Sequence, residues 1–265
     1  MGFLQWKRDA FLDDTIWYEG ALAAYKFKGA LTLNQAKKDL TGHGYNLTQS
    51  NGTISGWANT EFDTDRGCYC EAWNEYCLRN RDLEALPAQE TPIIIKTSIV
   101  RYNFLKTIGT GDGQWNSYKL TNPKPIGDYN LRVPYLVMAP NIRGYNNNTH
   151  FVKTLVMFDS ITGVNSSAGA GDNITVKYYK GPTTGLPSGF FTGGVYAYSN
   201  GKLYYNGTQL ETEYVTERLT WWDYNGYSDG YAFVSRFSEV AGGAFYTENL
   251  DADRIAAISE EMLSW

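Results

Sequence analysis

The sequence predicts a mainly β protein: an antiparallel sandwich or jelly-roll-like domain with a mixed N-terminal region and a short C-terminal helix. Three observations predict it. Aromatic residues make up 15% of the chain, with 21 Tyr, 8 Trp and 12 Phe, side chains that suit a pleated and half-buried surface. From Thr91 onward, short β-branched and aromatic runs alternate with clusters of Gly, Asn, Pro and Ser, the rhythm of a sandwich. The final residues abandon that rhythm for helical spacing.

The N-terminal elements are mixed. Residues 31–44 predict a helix that Thr32 caps, with Leu33, Ala36 and Leu40 on one face and Gly42 or Gly44 at its end. Asn51-Gly52, between Leu47 and Ile54, predicts a hairpin because both residues tolerate positive φ. Residues 68–80 stay open between helix and strand: Cys70, Trp73 and Cys77 fall at i, i+3 and i+7. Residues 1–90 therefore read as an attachment region.

Residues 91–249 read as the β domain. Ile93 to Phe104, 131–138, 151–158 and 174–179 are strand-like runs. A tight meander follows, with Val195–Tyr198, a turn at Asn200-Gly201, Leu203–Tyr205 and a turn at Asn206-Gly207. Residues 214–222 and 231–237 supply further strands. Residues 250–265 form the helix: Asn249 or Asp251 caps it, and Ile255, Ile258, Met262 and Trp265 are spaced 3, 4 and 3. That stripe must be covered, either by the chain's own sheet or by a neighbouring subunit. The reading adopted from the sequence is a subunit interface.

Charge and ends exclude several classes. Lys and Arg number 23 against 28 acids, a net charge of −5, which disfavours a nucleic-acid partner. No apolar run approaches the roughly 20 residues of a membrane helix. Lys7, Arg8 and Asp9 break any secretory leader, and the three Cys at 68, 70 and 77 read as reduced thiols rather than a disulfide framework. Yet Asn-x-Ser/Thr triplets begin at Asn46, Asn51, Asn147, Asn165, Asn173 and Asn206, and the composition resembles that of extracellular β proteins. A virus particle reconciles the two, because its proteins fold in host cytoplasm and work outside.

Little in the chain promises covalent chemistry. His43 and His150, the two His present, sit in Gly- or Asn-rich loops, and no Gly-x-Ser-x-Gly elbow occurs. The C-x-C-x6-C spacing does not match a zinc knuckle. Gly109-Thr-Gly111-Asp-Gly113 lacks the Gly-Lys-Ser/Thr of a phosphate loop. Asp63-Thr-Asp65-Arg-Gly67 begins like a calcium loop, but its twelfth position is Asn74. No metal or cofactor is expected. One segment combines acids with aromatic platforms: Trp221, Trp222, Asp223, Tyr224, Tyr227 and Asp229, with Glu217 upstream. Aromatic faces stack on sugar rings while acids bond hydroxyls, so this is the candidate carbohydrate site.

The reading these observations give is a non-enzymatic structural subunit of a virion, such as a bacteriophage tail, fibre or collar protein. Its partners would be other structural subunits in a homo-oligomer, with a host-surface glycan as a further ligand. The alternative is a carbohydrate-binding module or glycosidase that uses the 217–231 segment, where paired carboxylates would do the hydrolysis.

Overall fold

A computed structural model describes residues 16–49, 61–69, 78–84, 86, 90–100, 116–119, 137–143, 149–162, 173–190, 193–220 and 238–265. The chain is mainly antiparallel β, with a short helix at its C-terminal end. After a 3-10 turn at Ile16–Tyr18 come β1 (Ala21–Lys26), α1 (Leu33–Ala36), β2 (Thr48–Gln49), β3 (Glu61–Asp63), β4 (Gly67–Tyr69), β5 (Leu78–Arg79) and α2 (Arg81–Glu84). The strands then run β6 (Ile93–Val100), β7 (Asn116–Lys119), β8 (Val137–Arg143), β9 (Thr149–Thr162) and β10 (Asn173–Lys180). The series ends with β11 (Gly194–Ser199), β12 (Lys202–Tyr205), β13 (Thr208–Gln209), β14 (Glu213–Thr220), β15 (Ser238–Tyr246) and α3 (Ala252–Leu263).

The main sheet has eight strands in the order β13-β12-β11-β6-β15-β4-β3, with β1 also on β15. β6 pairs along one edge of β15, and the other edge is shared: β1 takes Gly242–Tyr246 while β4 takes Glu239 and Val240. A second sheet has the order β14-β10-β9-β8-β7, and β2 pairs with β5.

Period-two alternation splits the main sheet into two buried faces. On one, Tyr25, Ile93, Ile95, Tyr196, Tyr198 and Phe245 pack with Leu155 and Met157 of β9, so the two sheets form a sandwich. On the other, Ala24, Ile94, Ala197, Tyr204, Ala244 and Tyr246 pack with Trp17 and α3. β11 is buried along its whole length because both faces are covered.

Several expectations change here. Ile255, Ile258 and Met262, taken as a subunit interface, are fully buried against the chain's own sheet, with Trp265 packed beside them. The reason is the register: Ala24, Ala197 and Ala244 leave a shallow surface into which the helix stripe fits. The expected separation near residue 90 does not divide the sheet, since β1, β3 and β4 all join it. The helix of 31–44 contracts to Leu33–Ala36. Thr32 does cap it, its hydroxyl accepting from Gln35 N at 3.1 Å. It stops early because Asp39 and Asn46 draw the next amides into side-chain bonds, with Asp39 N donating to Asn46 Oδ1 at 3.0 Å. The strand read at 231–237 lies outside the described residues, and β15 begins just after it. The hairpin at Asn51-Gly52, Cys70, Trp73, Cys77, Gly109–Gly113 and residues 131–136 also lie outside them.

Candidate functional site

The acidic and aromatic segment Trp221, Trp222, Asp223, Tyr224, Tyr227 and Asp229 lies outside the described residues, directly after β14 in sequence. Glu217 is on β14 as the register partner of Val176.

β14 itself brings together an aromatic row that sequence reading did not single out. Met157 of β9, Tyr179 of β10 and Tyr214 of β14 are register partners across three strands. They run from the sandwich core to its rim. Met157 is buried, Tyr179 is half-buried and Tyr214 is 48% exposed. The rings of Tyr179 and Tyr214 stand 4.8 Å apart at 47°, and Tyr179 meets Tyr198 of the facing sheet at 5.4 Å. The β11–β12 turn holds Tyr179 from the other side. Asn200 and Gly201 take φ of 48° and 72°, and a Cβ on Gly201 would lie 3.1 Å from Tyr179 Cε1. Tyr214 is thus the outermost ring of a supported stack.

Two positions along the same pair, Lys177 and Thr216 are register partners, and both are exposed. Period two sets them on the face that carries Tyr179 and Tyr214. An aromatic plate beside an amine and a hydroxyl offers what a sugar needs: a surface for its C–H edge and polar groups for its hydroxyls.

The loop that leaves β10 is tied back tightly. Gly181 N donates to Leu155 O at 2.9 Å. Phe190 packs edge-on against Tyr196 and Tyr205, with ring centroids 5.7 and 4.9 Å away. Tyr196 Oη donates to Phe190 O at 2.5 Å, and Tyr205 Oη donates to Gly193 O at 2.9 Å. Burial pushes both phenols above their ordinary value, so they remain donors at neutral pH.

Of the other groups read from sequence, the structure describes the surroundings of Asp63, His43 and Cys68. Asp63 Oδ1 accepts from Asp65 N at 2.8 Å and Arg66 N at 3.1 Å, closing the β3–β4 turn. His43 Nδ1 lies 2.9 Å from Leu22 O. Cys68 is a buried free thiol. Among the described residues, no three of His, Cys, Asp and Glu gather as a metal site would, and no helix is long and apolar enough to cross a membrane.

No family model matches the sequence, and no curated protein matches it. Among solved structures, the receptor binding domain of botulinum neurotoxin D shares 12% identity with a TM-score of 0.38 over 93% of this chain and 54% of that one. The binding domain of botulinum neurotoxin serotype G shares 10% with a TM-score of 0.40, over 92% and 51%. A Ruminococcus gnavus IT-sialidase CBM40, bound to alpha2,3 sialyllactose, shares 11% with a TM-score of 0.27, over 68% and 86%. This chain spans about half the length of the two neurotoxin domains. Likenesses this distant carry no ligand or activity over to it.

Proposed function

We propose that this chain is a binding domain without catalytic activity, and that it takes a carbohydrate on the rim of its sandwich. The observation that carries the reading is Tyr214, an exposed ring fixed by Tyr179 behind it and flanked on the same face by Lys177 and Thr216. Pre-fixed aromatic side chains bind at low entropic cost, which favours recognition of weakly hydrophobic ligands such as sugars. The 221–231 segment that follows β14 is rich in the same residue types and extends the proposal to a larger binding surface.

The interface assigned to the helix stripe does not support a virion subunit, because that stripe is spent inside the chain. A virus particle stays within the proposal as a setting, since a domain that recognises surface sugars suits its exterior.

A glycan array probed with the full chain, followed by calorimetry on each hit, tests the function. The expected result is binding of at least one glycan without its hydrolysis, weakened tenfold or more in Tyr214→Ala. Failure to bind any glycan overturns the carbohydrate reading. Binding lost in Trp222→Ala and unchanged in Tyr214→Ala moves the site off the rim and overturns the role of Tyr214. Turnover that disappears in Asp223→Asn or Glu217→Gln overturns the non-catalytic assignment.

A further inference from the structure

The main sheet covers the inner face of the second sheet only in part. At the row of Tyr179 and Tyr214 the cover is present, where Tyr179 meets Tyr198 and the turn at Gly201. One row further along, Lys177 and Thr216 are exposed; one row beyond that, Thr175 is half-buried, with Arg218 as its register partner. β10 and β14 pair without a register shift from Asn173 to Lys180, so period two holds Tyr179, Lys177 and Thr175 on one face. The covered face of these strands is the other one: Tyr178 has no exposed surface, and its partner Val215 is half-buried. A sandwich ordinarily turns apolar residues inward and polar ones outward. The reversed order past Tyr179 makes the inner face of β10 and β14 an open ledge, with the tyrosine pair as its step.

The ledge is polar and carries a cation. On β9, the positions matched to Tyr179, Lys177 and Thr175 are Met157, Ser160 and Thr162. On β14 they are Tyr214, Thr216 and Arg218. Acids fall elsewhere in the register. Glu213 and Glu217 of β14 lie opposite Lys180 and Val176, and Asp159, the extra residue of the β9 bulge, is matched to none of the three. The advance from Tyr179 to Thr175 is about 13 Å of strand, the span of roughly three linked sugars. A ring to stack on, followed by an amine between hydroxyl-bearing neighbours, complements a chain of sugars with an acidic group one unit beyond the stacked ring.

We propose that the ledge takes a linear acidic oligosaccharide. One sugar stacks on Tyr214, the next sets its carboxylate or sulfate on the Lys177 amine beside Thr216, and a third lies over Thr175. The inference rests on the carbohydrate reading and names the class of glycan that the same rim selects: charged rather than neutral, and bound along its length rather than by its end alone.

The test is a set of matched glycans titrated into the full chain at low ionic strength: uronic-acid and sulfated oligosaccharides of one to four sugars, the neutral counterpart of each, and inorganic sulfate. The acidic member of a pair should bind at least tenfold more tightly than its neutral counterpart, and affinity should rise at least tenfold from one sugar to three. Whether the uronic or the sulfated series binds identifies the acidic group. Lys177→Gln should bring the acidic member down to the level of the neutral one, Lys177→Arg should restore the preference, and Lys180→Gln, at a register position off the ledge, should keep it. Both lysines face water at least in part, so the folded state of these variants is not at issue. Neutral glycans binding as tightly as acidic ones, a preference that survives Lys177→Gln, a single sugar binding as tightly as three, or inorganic sulfate binding as tightly as the acidic glycan each overturns the proposal. If Tyr214→Ala still weakens binding in those cases, the carbohydrate reading stands and only the acidic ledge falls; if no glycan binds at all, both fall.

Discussion

Asp39 shows how one side chain can replace a stretch of secondary structure. Its carboxylate accepts from Ala24 N and Thr41 N, each at 3.1 Å, from Tyr45 N at 3.2 Å and from Thr41 Oγ1 at 2.8 Å. It therefore pins the loop after α1 to the edge of β1, and the Tyr25 hydroxyl donates to Tyr45 O in the same knot. Asp39→Ala strands three amide donors. At about 1–3 kcal/mol for a donor left unsatisfied, the loss should be plain in urea unfolding, with Asp39→Asn intermediate. A midpoint unchanged in Asp39→Ala would mean that water takes over the amides without cost. Cys68 makes a different residue-scale prediction. Burial pushes its thiol well above the ordinary range, so almost no thiolate exists in the folded chain at neutral pH. Iodoacetamide should leave Cys68 unlabelled under native conditions and modify it fully in urea, as read by peptide mass mapping.

At the scale of elements, α3 follows directly from its sequence. Asp251 caps it by accepting from Arg254 N at 2.8 Å, and the 3-4-3 stripe is the buried face. The Asn-Gly turns of the meander were equally legible: Asn200 and Asn206 both take φ of 48°, followed by glycines at 72° and 79°. β1 and β15 were not. Ala21-Leu-Ala-Ala-Tyr-Lys has weak strand propensity, and Gly242-Gly243 interrupts β15, so neither shows a β-branched run. Their small residues answer a tertiary demand, the close approach of α3 and Trp265 to the sheet, which no local pattern announces. The Tyr179–Tyr214 pair was hidden for a related reason, because two tyrosines far apart in sequence become a site only through strand register. The helix is also fastened at its entrance. Ser199 Oγ donates to Leu250 O at 2.9 Å and accepts from Leu250 N at 2.8 Å in a buried setting. Ser199→Ala orphans both groups at once and should lower stability by about 1–3 kcal/mol. Hydrogen exchange should locate the weakening at Leu250 and the first turn of α3 rather than across the sheet.

At the scale of the whole molecule, the main sheet is the middle layer of three, with the second sheet on one face and α3 on the other. One consequence concerns alkaline pH. Tyr196 and Tyr246 have phenols raised above their ordinary value, chiefly by burial. A raised folded value favours the neutral form in the fold. That contribution is complete below about pH 10, the unfolded tyrosine value, and is lost as pH rises from there. Unfolding followed by circular dichroism should therefore coincide with the appearance of tyrosinate absorbance above about pH 10; full ionisation of an intact fold would contradict the buried placement of these rings. The second consequence tests the layering itself. Ile255, Ile258 and Met262 have no exposed surface, and their burial is worth roughly 1.5–3 kcal/mol each. The sum, about 5–9 kcal/mol, rivals the roughly 5–15 kcal/mol that stabilises a whole domain. Removing residues 250–265 also uncovers Trp17, Ala24, Ile94, Ala197 and Tyr246 together, a continuous apolar floor prone to aggregation. The truncated chain should be unfolded or insoluble, and Ile258→Asp, which forces a carboxylate into that layer, should behave alike. Ile258→Ala, which only leaves a cavity, should fold with a loss of about 2–5 kcal/mol in urea. If a chain ending at residue 249 is instead soluble, cooperative in melting and unchanged in its β circular dichroism, α3 is not a structural layer, and its stripe is again available to another subunit.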